Sequence, residues 1–358
     1  MKRTMIFTVL FAVALIFVVG CERKVTNEIT QTNGFTGADQ CMTCHNDTDG
    51  RLLQAQGEWA NSIHASGNNI DYTNRDFPSD CVKCHDHEGF VDWITTDTIH
   101  PPYENVSAIG CFTCHAPHTN GDFRLRADGP YTLANAVVFD HESGNLCVNC
   151  HHSRSNVVTE VVDNKSVSTR FGPHHGPQGE MIEGTGGYQY SGYTYTSSGH
   201  ASSVRGACVG CHMGNQQAHD GYKIGGHSFN MVDEETGANL VKWCDDCHSK
   251  ATSYDFIADT VIAVYDFDKN GTVEGYQTEF RGMLDSLARV LYARGLLTRT
   301  ISGTDTTYSG KSSTVADKGI VGAIWNWSTL NEDRSEGIHN FKYAKDLIWS
   351  SINYVNTH

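Results

Sequence analysis

The sequence has no apolar run long enough to cross a bilayer and no excess of positive charge. Its longest predominantly apolar stretch, residues 5–19, has 15 residues, whereas a membrane-spanning helix needs roughly 17–25. Acidic residues outnumber basic ones by 41 to 26, which gives a net charge of −15. This balance argues against nucleic acid or an anionic membrane surface as a partner and is compatible with docking of a basic protein.

The sequence also leaves no cysteine pair for a structural disulfide. Of its 13 cysteines, 12 fall in six copies of the pattern Cys-x-x-Cys-His, here called the first to sixth motifs, and only Cys21 lies outside them. The motif cysteines are Cys41 and Cys44, Cys81 and Cys84, Cys111 and Cys114, Cys147 and Cys150, Cys208 and Cys211, and Cys244 and Cys247. The histidines that end the motifs are His45, His85, His115, His151, His212 and His248.

This pattern is the attachment signature of c-type haem. Two thiols two residues apart can bond the two vinyl groups of one haem, and the adjacent imidazole then reaches the iron. A zinc site and a thioredoxin-like redox pair are the alternatives, but neither needs a histidine after the second cysteine. The sequence therefore predicts six covalently attached haems, with the six motif histidines as proximal iron ligands.

The N-terminus is typical of an exported lipoprotein. Residues 1–20 combine Lys2 and Arg3 with the apolar stretch, as in a secretory signal peptide, and a transmembrane anchor is the alternative. The sequence Val18–Val19–Gly20–Cys21 resembles a bacterial lipobox, in which the cysteine is lipidated. The polar residues 21–39 then predict a flexible tether. We expect a membrane-anchored lipoprotein that faces the periplasm or the cell surface.

Residues 40–250 form the expected hexahaem-binding region. The motifs begin at positions 41, 81, 111, 147, 208 and 244, and these steps fit no single repeat period. Few long amphipathic runs occur here, so the expected fold is mostly α and irregular, with short helices and loops wrapped around a haem array. Residues 157–162 and 166–170 predict one β-hairpin.

Residues 251–358 contain no motif and predict a C-terminal helical cap. Apolar residues at 280, 284, 287 and 291 share one helical face, which predicts a helix ending near Gly295. A second helix is expected over 320–327, and the Thr-, Ser- and Gly-rich residues 298–313 are expected to form a loop. A third helix should follow His339, with its inner face made of Ala344, Leu347, Ile348, Ser351, Ile352 and Val355.

The cap opens with a segment that is similar to the first part of an EF-hand calcium loop, since oxygen-bearing residues alternate from Asp266 to Glu274. The expected ligands are the side chains of Asp266, Asp268, Asn270 and Glu274 and the carbonyl of Thr272. Gln277 occupies the place of the usual bidentate glutamate, with Glu274 and Glu279 nearby as substitutes. A solvated turn at the start of the next helix is the alternative.

Several further elements resemble one superfamily of multihaem cytochromes. These are Trp-x-x-Ser-x-His-Ala at 59–65, Cys-x-x-Cys-His-x-Pro-His at 111–118, His-His-Gly-Pro-Gln at 174–178, Cys-His-Met at 211–213 and Arg-Ser-x-Gly-x-His-Asn-x-Lys-Tyr at 334–343. They look like the tetrahaem cytochromes of ammonia oxidisers and related multihaem reductases, which include the ammonia-forming nitrite reductases. The similarity runs from about Gly37 to Val355.

That resemblance implies a second histidine ligand for each haem iron. The implied distal ligands are His64, His118, one of His174 and His175, His200, His227 and His339. The remaining histidines, at 87, 100, 141, 152, 219 and 358, would lie at the surface or behind the ligands, with His100 and His141 as the alternatives to this set. Ammonia-forming nitrite reductases usually carry one Cys-x-x-Cys-Lys site with an open iron face, but all six motifs here end in histidine.

The sequence therefore predicts an electron carrier in which bis-His haems relay electrons between redox partner proteins. Two alternatives remain at this stage. One is a multihaem reductase of a small nitrogen or sulfur oxyanion at one open haem, for which no catalytic residues can be named. The other is a subunit of a conductive filament, in which copies of the chain stack end to end.

Overall fold

The computed structural model of the protein describes residues 50–66, 81–101, 103, 106–120, 122–214, 223–244, 247–248, 253–256 and 265–358. These residues belong to one compact unit, Gly50–His358. The signal peptide, Cys21, the tether and the first motif with Cys41, Cys44 and His45 lie outside the described residues. Within the described ranges, no helix is both long enough and apolar enough to cross a membrane.

The part that carries the motifs is built from short helices and turns. Its α-helices are α1 Gly50–Ala60, α2 Val82–His85, α3 His87–Thr96, α4 Cys111–Cys114, α5 Pro117–Asn120, α6 Gly144–Val148, α7 Val157–Glu160, α8 Gln178–Glu183, α9 His200–Ser203 and α10 Cys208–His212. Gly226–Ser228 and Lys242–Cys244 form 3₁₀ turns, and the strands are β1 Tyr131–Thr132, β2 Val138–Phe139 and β3 Lys165–Val167. Mixed helical and irregular structure was expected from the sequence, and this part of the prediction is confirmed.

Each motif helix is about one turn long, and one turn is enough for its role. Residues three apart lie on the same face of a helix, so a single turn such as α2 or α4 is sufficient to bring the two cysteines of a motif to one side. The chain then leaves the helix at once. After α2, Asp86 adopts an extended backbone and its side chain accepts from the Gly89 N–H at 2.5 Å, which caps α3.

The C-terminal cap consists of three long helices and a hairpin. Its elements are α11 Tyr276–Ala293, β4 Leu297–Ser302, β5 Asp305–Gly310, β6 Ser313–Val315, α12 Lys318–Asp333 and α13 Phe341–Thr357. Helix α12 is apolar on most of its circumference and packs against both α11 and α13. All six residues predicted for the inner face of the last helix are buried, so that prediction is confirmed.

Two local predictions are wrong. Residues 298–313 do not form a loop, because β4 and β5 pair as an antiparallel hairpin in which Thr300 faces Thr307. The hairpin predicted around Asp163 is also absent from the described structure. Its first half is helix α7, and its second half, β3, pairs with β6 so that Ser166 faces Thr314.

The cap is joined to the motif-bearing part through a chain segment around Gly186. The Trp325 indole donates to the Gly186 carbonyl at 2.8 Å, and Asn326 Oδ1 accepts from the Tyr188 N–H at 2.6 Å. A Cβ at Gly187 would meet Leu347 at 2.5 Å, so only glycine permits this close approach. These contacts hold α12 and α13 against the segment that carries the fourth and fifth motifs.

Candidate functional site

The ten described motif cysteines form no disulfide bonds, and neighbouring motifs lie side by side. The Cys84 Sγ is 3.9 Å from the Asn149 carbonyl, and the Cys150 Sγ is 3.8 Å from the Lys83 carbonyl. A hydrogen bond with Cys84, and then burial, raise the pKa of the Cys150 thiol. In the same way Cys147, followed by burial, raises the pKa of the Cys208 thiol. The second, fourth and fifth motifs therefore form one continuous row.

Imidazole pairs are the main geometric feature of this region. In four pairs, a motif histidine faces one of the histidines implied as a distal ligand. The ring centroids are 6.2 Å apart for His64 and His151, 6.3 Å for His115 and His227, 6.2 Å for His200 and His248, and 6.4 Å for His212 and His339. Each pair joins residues far apart in sequence, so the pairing is a product of the tertiary fold.

The separation of the rings fits one metal ion between the members of each pair. An imidazole nitrogen binds a first-row metal at about 2 Å and lies roughly 1.2 Å from its own ring centroid, so two imidazoles that share one iron would have their centroids about 6.4 Å apart. Each motif also provides two thiols next to its histidine, which is the donor set that covalent haem attachment requires. The residues present therefore fit haem c.

Hydrogen bonds fix the orientation of the paired rings. The His212 Nδ1–H donates to the Phe229 carbonyl at 2.9 Å, and the His115 Nδ1–H donates to the Phe123 carbonyl at 2.6 Å. In both cases the bond selects the tautomer that leaves Nε2 available to a metal. A ligating histidine in a metalloprotein usually donates its other N–H in this way, to a carbonyl or a carboxylate.

His339 has a carboxylate partner instead of a carbonyl. Its Nδ1 lies 2.6 Å from Asp333 Oδ1, and the Asp333 carboxylate is buried. Burial lowers the pKa of His339, but the charge and the hydrogen bond of Asp333 outweigh it and raise the pKa above its usual value. A carboxylate in this place increases the electron density that the ring can offer to a metal.

The second motif has two candidate distal histidines. Burial lowers the pKa of His85, and the nearby His175 and Arg154 lower it further. The rings of His174 and His175 are 4.6 Å apart, and the His175 Nδ1 is 2.7 Å from Glu332 Oε2. The structure therefore brings His85 and the His174–His175 pair together. His118 is exposed, with its ring 5.4 Å from Phe112.

Of the histidines outside the predicted set, His219 lies outside the described residues, and three others have nitrogens engaged with other groups. His141 uses Nε2, which is 2.5 Å from Glu183 Oε1. His152 uses both nitrogens, since Nδ1 donates to the Ser153 carbonyl and Nε2 is 3.0 Å from the Tyr131 hydroxyl. The exposed His100 has its Nδ1 2.9 Å from Asp92 Oδ2. The Glu183 contact at Nε2 argues against His141 as an alternative iron ligand. The Asp92 contact of His100 is at Nδ1, as in His339, and its Nε2 is 3.4 Å from the Thr98 hydroxyl.

The groups that hold the ligands were missed by sequence reasoning. Asp333, Glu332 and the carbonyls of Phe229 and Phe123 carry no motif of their own. Asp333 precedes His339 by six residues, but a helix end and a turn separate them. Only the three-dimensional structure brings these acceptors to the rings.

A carboxylate cluster occupies the predicted calcium loop. Carboxylate oxygens of Asp266, Asp268 and Glu279 lie within 4.8 Å of one another. Glu274, which was the expected acidic ligand, instead accepts from the Asn270 side-chain amide at 2.8 Å. Gly271 has a φ of +94°, a conformation that L residues rarely adopt, at the position where EF-hand loops carry glycine.

Comparison with known proteins supports the haem interpretation at a coarse level. No protein family matches the chain, and no solved structure matches it. The C-type polyheme cytochrome OmcB of Geobacter sulfurreducens, found in two strains, is 20% identical over 415 residues, which covers 89% of this chain and 55% of that protein. The C-type polyheme cytochrome OmcC of the same species is 21% identical over 297 residues, 68% of this chain and 36% of that protein.

The chain thus spans about half the length of the first of these curated relatives. Together with the repeated motifs, the similarity supports a multihaem c-type cytochrome. Attachment of haem c agrees with both observations.

Proposed function

We propose that the protein is a hexahaem electron carrier in which every iron is held between two histidines. The observation that carries the proposal is the set of four imidazole pairs with centroids 6.2–6.4 Å apart. Iron with two histidine ligands has no coordination position for a substrate, and bound haem then supplies reversible one-electron chemistry. The chain's own residues orient the ligands and set the spacing and burial of the sites.

The six sites follow the motifs. Four pairs are His115 with His227, His151 with His64, His212 with His339, and His248 with His200. For the second motif we favour His175 over His174 as the partner of His85. His175 has its Nδ1 held by a carboxylate, as His339 does, whereas burial and then the Arg154 charge dominate the lowered pKa of His174. The first motif lies outside the described residues, and His118 is the implied distal ligand that these five pairs leave over.

Contacts between sites support a relay along the array. The Cys84–Cys150 and Cys147–Cys208 contacts connect the second, fourth and fifth sites. The His200 ring hydrogen-bonds to the backbone of His339 and Ile338, which connects the sixth site to the fifth. Redox partner proteins would then exchange electrons with sites at the ends of this row.

Haem content and spin state test the carrier proposal. Pyridine haemochrome analysis should give six c-type haems per chain, and the oxidised protein should be wholly low-spin. His339→Ala should convert one iron to high spin, while His141→Ala, which removes a histidine bonded through Nε2 to Glu183, should leave all six low-spin. One stoichiometric high-spin iron in the wild-type protein, or a spectral shift with nitrite, would favour the reductase.

We also propose export and anchoring through the N-terminus. Residues 1–20 would act as the signal peptide, Cys21 would carry the lipid and residues 21–39 would form the tether. The protein would then face the periplasm or the cell surface. Cys21→Ala should move the protein from the membrane fraction to the soluble fraction, with its haem content unchanged. Retention in the membrane fraction would argue for a transmembrane anchor.

The carboxylate cluster is proposed as a structural calcium site. Its ligands would be Asp266, Asp268, Asn270, the Thr272 carbonyl and Glu279, with Glu279 in place of Glu274. Three carboxylates this close repel one another unless a cation or protons offset their charge. Chelation should lower the Tm of the wild-type protein. Glu279→Gln should abolish that sensitivity and Glu274→Gln should keep it; an equal response of both variants would exclude the assignment.

A further inference from the structure

Phe229 lies where three of the candidate imidazole pairs meet. Its ring centroid is 5.0 Å from that of His64, in an edge-on arrangement at 74°, and 6.2 Å from that of His227, at 71°. Its carbonyl oxygen accepts the Nδ1–H of His212 at 2.9 Å. His64, His227 and His212 belong to the fourth, third and fifth sites respectively, so one residue contacts ligands of three sites.

The backbone of Phe229 is also unusual. It follows the 3₁₀ turn Gly226–Ser228 and has a φ of +58°, in the left-handed region that bulky residues rarely adopt. Gly225 and Gly226 also have positive φ, at 71° and 54°, which allows the tight turn. A bulky side chain persists in this conformation where surrounding contacts require it, and such positions concentrate at functional sites.

We infer that Phe229 is a shared positioning residue for the ligands of the third, fourth and fifth haem sites. The inference rests on the proposed bis-His haem array. The ring fixes the planes of His64 and His227 by edge-on packing, and the carbonyl fixes the tautomer and plane of His212. The ring and the carbonyl are held in one place by the turn, so the three ligand planes are set relative to one another.

Mutation can separate the two contributions because the carbonyl belongs to the backbone. Phe229→Ala and Phe229→Gly remove the ring and keep the acceptor of His212. The measurement is the EPR spectrum of the fully oxidised protein, in which the g values of each low-spin iron report the relative orientation of its two imidazole planes. We expect the signals of two of the six irons to change and the other four to stay.

Three comparisons separate positioning from general damage to the fold. Phe229→Gly removes the strain of the positive φ, so it should fold at least as well as Phe229→Ala and give the same change in two irons. Phe229→Tyr keeps the ring and should restore the wild-type spectrum. Phe139→Ala removes a buried ring that lies 4.6 Å from His141, a histidine outside the ligand set, and should leave all six signals unchanged.

Different results would overturn the inference and the proposed function. Unchanged signals in both Phe229→Ala and Phe229→Gly would show that the ring orients neither histidine. Loss of haem, or changes in all six signals in both variants, would reduce Phe229 to a general structural role. A high-spin iron in the wild-type spectrum bears on the bis-His proposal alone, because the positioning test is the difference between variant and wild type.

Discussion

The motif-bearing part and the cap differ in how their interiors are filled. The cap packs helices of 18, 16 and 17 residues around one large cluster of buried apolar side chains, which Val157, Val161, Val167 and Met181 of the other part also join. Between Cys81 and Cys247, the described α-helices other than α3 have four to six residues. The separate apolar cluster there has only five buried members, Leu133, Phe139, Val148, Ile182 and Ala207.

This contrast is explained if haem supplies the apolar bulk that the motif-bearing part lacks. A porphyrin is large, flat and mostly apolar, so several of them remove the need for long amphipathic helices. The side chains of this part are then selected for attachment, ligation and hydrogen bonding to the ligands. The cap follows ordinary rules of helix packing instead. Substitutions can test this division. The one with the largest expected effect removes a haem.

Removing the attachment thiols of the fourth motif should have the largest effect. In the double variant Cys147→Ser, Cys150→Ser, the haem content should fall and the motif-bearing part should lose its folded structure. The free energy of unfolding should fall by about 5 kcal/mol or more, which is comparable to the entire stability of a typical domain. The fourth motif contacts both the second and the fifth, so its loss breaks the row between them.

Limited proteolysis and pyridine haemochrome analysis would measure this effect. Cleavage should concentrate between residues 81 and 248 and spare the cap. The matched control is Cys244→Ser with Cys247→Ser, in the sixth motif at the end of the row, which should remove one haem with less damage. If both double variants resist protease as the wild type does, haem does not form the core of this part.

A cavity in the cap should destabilise the cap without loss of haem. Trp325 is 1% exposed, and its indole donates to the Gly186 carbonyl. Trp325→Ala should destabilise the cap by about 3–5 kcal/mol, because a large buried side chain and a hydrogen bond are lost. Haem content and spin state should not change. Ile301→Ala, at a side chain that is 61% exposed on β4, should cost little. A loss of haem in Trp325→Ala would mean that the core of the cap also supports the haem sites.

The same contrast decides what could be predicted from sequence. The inner face of α13 was predicted correctly because six apolar or small residues at helical spacing meet a conventional core. Helix α12 is longer than predicted and begins at the Asp317 cap. It is buried on most sides, so its sequence lacks the apolar–polar periodicity that marks a helix boundary. Strands β4 and β5 were mistaken for a loop, although β-branched threonines and Gly303 at the turn are typical of a hairpin.

Long-range pairing is where sequence reasoning stops. The motifs specify the thiols and the motif histidines by local spacing alone. Which distal histidine faces which motif depends on contacts such as that of His64 with His151, and no local pattern encodes it. Strand β3 shows the same limit, because it pairs with β6 almost 150 residues away instead of the neighbouring segment. The acceptors that orient the rings, such as Asp333, likewise depend on the folded chain.

Buried carboxylates extend the comparison to polar groups. In the cap, Glu279 accepts from the backbone N–H groups of Phe267, Asp268 and Glu274. In the motif-bearing part, Glu180 is 1% exposed and accepts only from the Ser153 N–H, while its Oε1 has no hydrogen-bond partner. Burial raises the pKa of Glu180 to about 7. The Glu279 carboxylate of the cap is therefore fully hydrogen-bonded, whereas the Glu180 carboxylate of the motif-bearing part is not.

This difference predicts a pH dependence of stability. The folded state binds the Glu180 proton more tightly than the unfolded state, whose pKa is about 4.3. The free energy of unfolding should therefore fall by at most about 4 kcal/mol as the pH rises from about 4.3 to 7, and then level off. Denaturant titrations should show that Glu180→Gln removes this decline. Glu142→Gln, at the surface beside Arg205, should keep it. Equal slopes in all three proteins would contradict the assignment.

The smallest effect concerns a helix cap in each part. Asp317 accepts from the N–H groups of Gly319 and Ile320 at the start of α12, and Asn156 accepts from the Val158 N–H at the start of α7. Asp317→Ala should cost about 1–2 kcal/mol, because α12 carries the core of the cap and Tyr354 also donates to this carboxylate. Asn156→Ala should cost about half as much, since α7 is a single turn that orders little else. Denaturant midpoints would measure both losses of stability. An equal or larger loss in Asn156→Ala would show that short helices of the motif-bearing part depend on local capping more than on the haem sites around them.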